Sequence, residues 1–283
     1  MGSSEPCFRG GPSRRRAAWW LTWAVLVSAS AARGAGGEPA ATIEVDLRDL
    51  PKRIVHATID VPCTPGGELA LWHPKWIPGT HAPCGANEPV AGLRVTTPNG
   101  EVVPWRRDDY ELYRIVCRVP EGVDRVRVAL DTICNEPAIE AAGHLTYGNA
   151  KVGVVNWSTC ILYPEGATAA ETTLALSARL PAGWTYATAL KAESEEEGLV
   201  RFLPVSLVEL IDSPLIGGEH FKTTKLDVGP NPPAYFHLTS ESPEAMELSS
   251  ETLEKYARVV REAGALFGSF HYDEFQFLTV LSD

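Results

Sequence analysis

Zinc chemistry needs three or four nitrogen, sulfur or oxygen ligands converging at about 2.0–2.3 Å, and one stretch of this chain offers candidates. LALWHPKWIPGTHAPCGANEP, from Leu69 to Pro89, holds His73, His81 and Cys84 in a segment stiffened by Pro74, Pro78 and Pro83. Their spacing matches no usual zinc pattern. The same Pro and Gly positions suit a turn whose indoles pack onto β-structure. Trp72 and Trp76 suggest a second chemistry, an aromatic platform for sugars, but tryptophans at strand ends more often plug the end of a sandwich. Packing is the expected role of this segment, ahead of metal and ahead of sugar.

Other constellations carry less. Asp108-Asp109 and the Glu209, Asp212 pair are carboxylates that would have to face one another across a cleft to cleave a glycoside. Glu219-His220 follows Gly217-Gly218, which reads as a polar turn leading into a strand. The run Glu193-Ser194-Glu195-Glu196-Glu197-Gly198 lacks the alternating Asp/Asn ligands and central Gly of a calcium loop, and is expected to be a solvated hairpin tip. The seven histidines are scattered, and HExxH, G-x-S-x-G, the P-loop and the Rossmann glycine fingerprint are all missing. No residue of this sequence is assigned a catalytic, cofactor or metal role.

The elements that must position any site begin after a leader. Arg14-Arg15-Arg16, the apolar run Ala17 to Val27 and the small residues Ala29-Ser30-Ala31 have the order of an export signal covering residues 1–31. The run is short for a bilayer, so cleavage is expected rather than a lasting membrane anchor, with export to the periplasm or medium. A net charge of −11 and a pI near 5.2 leave no basic stripe for nucleic acid. Cys63, Cys84, Cys117, Cys134 and Cys160 follow the leader without any CxxC, so disulfides or core packing are expected before metal.

From Ala41 to about Leu226 the pattern alternates with period two: TIEVDL (42–47), RIVHATIDV (53–61), ELYRIVCRV (111–119), DRVRVALDT (124–132), TTLALSARL (172–180) and GLVRFLPVSLVEL (198–210). Gly/Pro turns separate these runs. The expected fold is mainly β, a β-sandwich. After the Pro-rich joint GPNPPAYFHLTS (229–240), SSETLEKYARVVREAGALFG (249–268) predicts one helix. Ser249 or Ser250 would cap it, and Leu253, Tyr256, Ala257, Val260 and Phe267 would share a face. FQFLTVL (275–281) then predicts a strand, so residues 230–283 open a mixed α/β unit too small to bury a core alone.

PKWIPGTH (74–81), LYPEG (162–166), LPAGWTYATAL (180–190), LVELIDSPLIGGEHF (207–221) and LFGSFHYDEFQFLTVLSD (266–283), in that order, resemble landmarks of the M61 glycyl-aminopeptidase family. PKWIPGTH is similar to its Pro-x-Trp-x-Pro-Gly-x-Tyr signature, with His81 in place of Tyr. LYPEG, LPAGWTYATAL and LVELIDSPLIGGEHF are similar to later landmarks of its N-terminal β domain. LFGSFHYDEFQFLTVLSD resembles the entry into its thermolysin-like catalytic domain.

The resemblance implies a sandwich over 41–226 and an incomplete start of a catalytic domain over 230–283. In the family, the Gly-Gly-x-Glu-His segment, HExxH and a distant Glu ligand come later, so zinc is expected only in a full-length relative and this chain is expected to be inactive alone. The expected partners are that catalytic domain or a peptide. Two other readings are a free-standing exported binding module for peptide or glycan, and a zinc enzyme built on His73, His81 and Cys84.

Overall fold

The computed structural model describes residues 38–80, 82–83, 85, 87–134, 145–166 and 168–281. The expected export signal and the side chains of His81, Cys84 and His144 lie outside them. In chain order the strands are β1 (Ala41–Asp46), β2 (Ile54–Pro62), β3 (Glu68–Trp72), β4 (Val90–Thr96), β5 (Trp105–Arg107), β6 (Arg114–Arg118) and β7 (Arg125–Ile133). Next come β8 (Tyr147–Gly148), β9 (Val152–Val155), β10 (Tyr163–Pro164), β11 (Thr173–Arg179), β12 (Thr185–Thr188), β13 (Ala192–Glu196), β14 (Leu199–Phe202) and β15 (Val205–Ser206). The short helix α1 (Leu207–Ile211) precedes β16 (Leu215–Gly218), β17 (His220–Leu226) and β18 (Ala234–Ser240); α2 (Ser250–Phe267) precedes β19 (Phe275–Leu281).

The protein is mainly β. The largest sheet runs β13-β14-β11-β1-β2-β7-β4, with β15 also on β11. Its centre follows from alternation: Ile43, Val45, Val55, Ile59, Val126 and Val128 are fully buried, and their sequence neighbours face outward. β1 pairs antiparallel with β2 but parallel with β11, so Ile43 lies level with both Ile59 and Leu176. Two four-stranded sheets, β10-β3-β6-β5 and β12-β16-β9-β8, contribute Leu71, Ile115, Val155 and Leu215 to the same core. Glu197 and Gly198, at φ 49° and 77°, make the two-residue turn that closes the β13–β14 hairpin, and the acidic run sits at this tip.

A three-stranded sheet, β17-β18-β19, has its own core. β18 runs antiparallel to β17 and parallel to β19, and α2 crosses between them as the parallel connection requires. Phe236, Leu238, Ala257 and Val260 are buried together under the helix, with Tyr256 and Phe277 packed at their side. Ser249 caps α2, its hydroxyl accepting from the Thr252 amide at 3.1 Å, and Gly268 at φ 70° ends it.

The local pattern misreads three places. Residues 207–210, expected to continue a strand, fall within α1. The Ser206 hydroxyl accepts from the Glu209 amide at 3.2 Å and starts the helix, leaving Val208 exposed. Phe267 obeys the helical spacing but is 72% exposed, at an open groove that it shares with Phe270 and Phe275. ELYRIVCRV also enters its strand late, at Arg114, since Asp108 Oδ1 first accepts from the Tyr110 and Glu111 amides and bends the chain.

Candidate functional site

The segment after β3 folds back on itself. His73 donates its amide to the Tyr113 carbonyl at 2.8 Å, extending the β3–β6 pairing by one residue. The Gly85 amide then donates to the Lys75 carbonyl at 2.9 Å. Only glycine fits there: a Cβ on Gly85 would lie 1.9 Å from the Pro74 carbonyl oxygen. His73 is 3% exposed, and its ring stacks on Tyr113 with centroids 6.4 Å apart and planes 25° apart. Lys75 pairs with Glu111 and lies over the Tyr113 ring at 5.5 Å, tying this segment to the turn before β6.

The two tryptophans differ. Trp72 Nε1 donates to Glu165 Oε1 at 3.0 Å, and Glu165 in turn receives Arg114 through two bonds of 3.1 Å. Arg114 also donates to Asp108 Oδ2 at 3.0 Å. The Arg114 and Trp72 bonds hold the Glu165 carboxyl below its ordinary range. Amide bonds from Tyr110, with Arg114 and Glu111, do the same for Asp108. Trp72 is thus a clamped structural indole, as packing predicts. Trp76 is 64% exposed and makes no such bond among the described residues.

Beside this network is a cleft of about 170 Å³ between the edge strands β4 and β5. A β-bulge opens it: the β4–β7 register shifts between Ala91 and Arg94, around Gly92 at φ 62°. A Cβ on Gly92 would come 2.8 Å from Asp131 Oδ2. Across the gap Trp105 Nε1 donates to the Leu93 carbonyl at 3.1 Å and fixes its width. His73, Arg107 and Tyr113 line it, over Ile115 and Leu162.

The remaining candidates disperse. Among the described residues no three His, Cys, Asp or Glu side chains converge as a metal site; His81 and Cys84 are outside them. Asp108 pairs with Arg114, whereas Glu209 lies on α1 and Asp212 ends it, with no ion pair among the described residues. Glu219 pairs with Lys151, which holds its carboxyl low, and His220 starts β17 opposite Ser240. Cys63, Cys117, Cys134 and Cys160 are free thiols. Burial pushes Cys117 up to about 11 and Cys134 up to about 12.

Two histidines gain partners that local reading misses. His56 Nδ1 lies 2.6 Å from Asp131 Oδ1 and its Nε2 lies 3.2 Å from Asp49 Oδ2. Burial alone would lower its pKa, but the two carboxylates outweigh burial and the pKa rises. The strand register places His56 level with Asp131, a relation that exists only once β2 and β7 pair. His237, in the middle of β18, shares a 2.9 Å hydrogen bond with Thr223, while its Nε2 is buried with no partner at hydrogen-bond distance among the described residues. Its burial pulls its pKa down.

The described residues combine a mainly-β architecture, a proline-stiffened loop clamped by one indole and a small helix-and-sheet unit at the end. The family known as Peptidase M61 N-terminal domain matches residues 42–219, well over half of the chain, and the chain belongs to it. The match stops where β17 begins.

Among solved structures, an aminopeptidase N family protein from Idiomarina loihiensis superposes with a TM-score of 0.69 at 18% identity. That alignment covers 85% of this chain and 39% of that protein, and at this identity the likeness is one of fold alone. An M1 zinc metallopeptidase from Deinococcus radiodurans aligns at 12% identity with a TM-score of 0.44, covering 84% of this chain and 55% of its own. The chain therefore spans well under two thirds of either protein. No curated protein matches it at a significant level.

Proposed function

We propose that this chain is the N-terminal, non-catalytic part of an exported M61-type zinc aminopeptidase, with the zinc ligands and catalytic residues supplied by a catalytic part outside it. The β-domain would then shape and carry that catalytic part. Membership of the family supports this reading. The observation that carries it is the uncovered apolar groove at the end of the helix-and-sheet unit. Val259, Phe267, Phe270, Tyr272, Phe275 and Phe277 line a hollow of about 470 Å³, which is the sort of surface a packed domain conceals.

The test is turnover. The purified chain, supplied with zinc, is expected to leave glycyl and alanyl chromogenic anilides uncleaved, and a fusion joining the first 31 residues to a reporter is expected to be exported. Zinc-dependent hydrolysis by this chain, lost on His73→Ala, would sink the proposal in favour of a metal site in the Trp-Pro loop.

A second reading is a free-standing exported binding module. The cleft beside His73 favours it, because it is concave, aromatic-sided and open at the sandwich edge.

A further inference from the structure

Arg107 is an exposed arginine at the mouth of the cleft between β4 and β5. Residues two apart on a strand face the same side, so Arg107 shares the face of Trp105. Across the β5–β6 ladder it stands level with Ile115, which is 4% exposed. Arg107 makes no ion pair among the described residues; its Nη1 donates to the Leu112 carbonyl at 2.6 Å. It lines the 170 Å³ cleft that the Gly92 bulge opens.

The chemistry of that cleft is one-sided. Val90, Leu93, Ile115 and Leu162 make its body apolar, Asn87, His73 and Tyr113 add neutral polar groups, and among the described residues no Asp or Glu lines it. A cation would meet the Arg107 charge, and a polyanion would find one guanidinium and much hydrocarbon. A single carboxylate on a compact apolar group satisfies both halves, since guanidinium binds carboxylate through paired charge-assisted hydrogen bonds. The volume is below the usual range for drug-sized ligands and suits one amino-acid residue.

The surroundings extend the match. Trp76, Tyr110 and Leu112 are 64%, 97% and 63% exposed, on two loops that the Lys75–Glu111 pair holds together. They are exposed apolar ground on the loops that adjoin the lining residues His73 and Tyr113 in the chain.

We propose that this cleft binds a carboxylate borne on a compact apolar residue, as the C-terminal residue of a peptide or an N-acylated amino acid presents it. The site belongs to the β-domain itself, independent of whether a catalytic part follows.

Calorimetric titration of the whole chain with N-acetyl-leucine, with Ala-Ala-Leu and with Ala-Ala-Leu amide tests it. Both acids are expected to bind and the amide to bind about tenfold more weakly or not at all. Arg107→Gln should bring the acids down to the amide's level with an unchanged Tm. Ala91→Phe, which fills the cleft from the β4 side, should abolish binding of all three. A tripeptide tighter than N-acetyl-leucine assigns the site to peptide ends that also use the exposed rim; equal affinities assign it to small acids. Acid and amide binding alike, no binding at millimolar concentration, or full affinity in Arg107→Gln would overturn the proposal. Arg107 would then be an exposed charge that deters strand addition at the β5 edge.

Discussion

Gly218 is pressed against Thr239: a Cβ added to the glycine would lie 2.1 Å from Thr239 Oγ1 and 2.8 Å from the Lys151 carbonyl oxygen. Gly218 ends β16, in the sheet that shares the main core, and Thr239 sits on the central strand of the helix-covered sheet. The Thr239 hydroxyl donates to the His220 carbonyl at 2.8 Å, so it cannot swing away without losing that bond. Near the same junction Asn149 donates to Glu241 Oε1 at 2.6 Å. Gly218→Ala is therefore expected to overpack the junction and to destabilise the protein by about 1–3 kcal/mol. Chemical denaturation followed by tryptophan fluorescence checks it; an unchanged midpoint would show that the two sheets shift apart freely.

The His56 cluster gives a pH dependence with a definite sign. Asp131 and Asp49 raise its folded-state pKa above the unfolded value of about 6.5. The stabilisation is then fully present below that unfolded value and is lost as pH rises through the folded pKa. His56 is about half exposed in its side chain, so solvent screening limits the effect to about 1 kcal/mol or less. Urea midpoints of the wild type relative to His56→Gln should narrow between pH 5.5 and pH 9. A difference that grows with pH would contradict the geometry.

Thiol reactivity should rank by burial. Cys63 is partly accessible, whereas Cys134 and Cys160 are fully buried and Cys117 nearly so. Their raised pKa values leave little thiolate at pH 8. Among these four, iodoacetamide mapping of the folded protein is expected to mark Cys63 first, and the other three only in denaturant. Alkylation of Cys134 as fast as Cys63 would mean that the core opens locally.

Much of the sandwich was legible because alternation is a local signal. Ile43, Val45, Val55 and Ile59 announce their buried face from their own neighbours. The Trp-Pro loop was legible as a stiff turn, although its clamp was not. Trp72 meets Glu165, 93 residues away, and His56 meets Asp131, 75 residues away. Such meetings depend on strand order and register, which no local pattern encodes. Segment 207–210 failed for the opposite reason: its apolar residues fit a strand, and one serine cap decided otherwise. The cleft had a faint signature in Trp105 and Arg107, an apolar and a charged residue at strand spacing. Its meaning required the bulge at Gly92.

The Trp72 clamp and the exposed Trp76 predict unequal substitutions. Trp72→Phe keeps most of the ring but removes the donor to Glu165, and should cost about 1 kcal/mol because the accepting carboxylate is partly hydrated. Trp76→Ser touches no hydrogen bond among the described residues and should stay within about 0.5 kcal/mol of wild type. Equal losses from the two would indicate that the Trp76 indole packs against a neighbour in solution.

The groove on α2 and β19 should make the isolated chain adhesive. Phe267 and Val259 are 72% and 56% exposed, and Phe275 is 37% exposed on the outer strand of its sheet. An exposed apolar hollow beside an unpaired strand edge invites both dye binding and self-association. Phe267→Ser is expected to leave the midpoint of unfolding nearly unchanged, since that ring lies outside the buried cluster of Phe236, Leu238, Ala257 and Val260. The same change should cut the fluorescence of bound anilinonaphthalene sulfonate several-fold and reduce light scattering on concentration. A variant that binds dye as the wild type does would place the adhesive surface elsewhere, and with it the face against which a catalytic part is expected to pack.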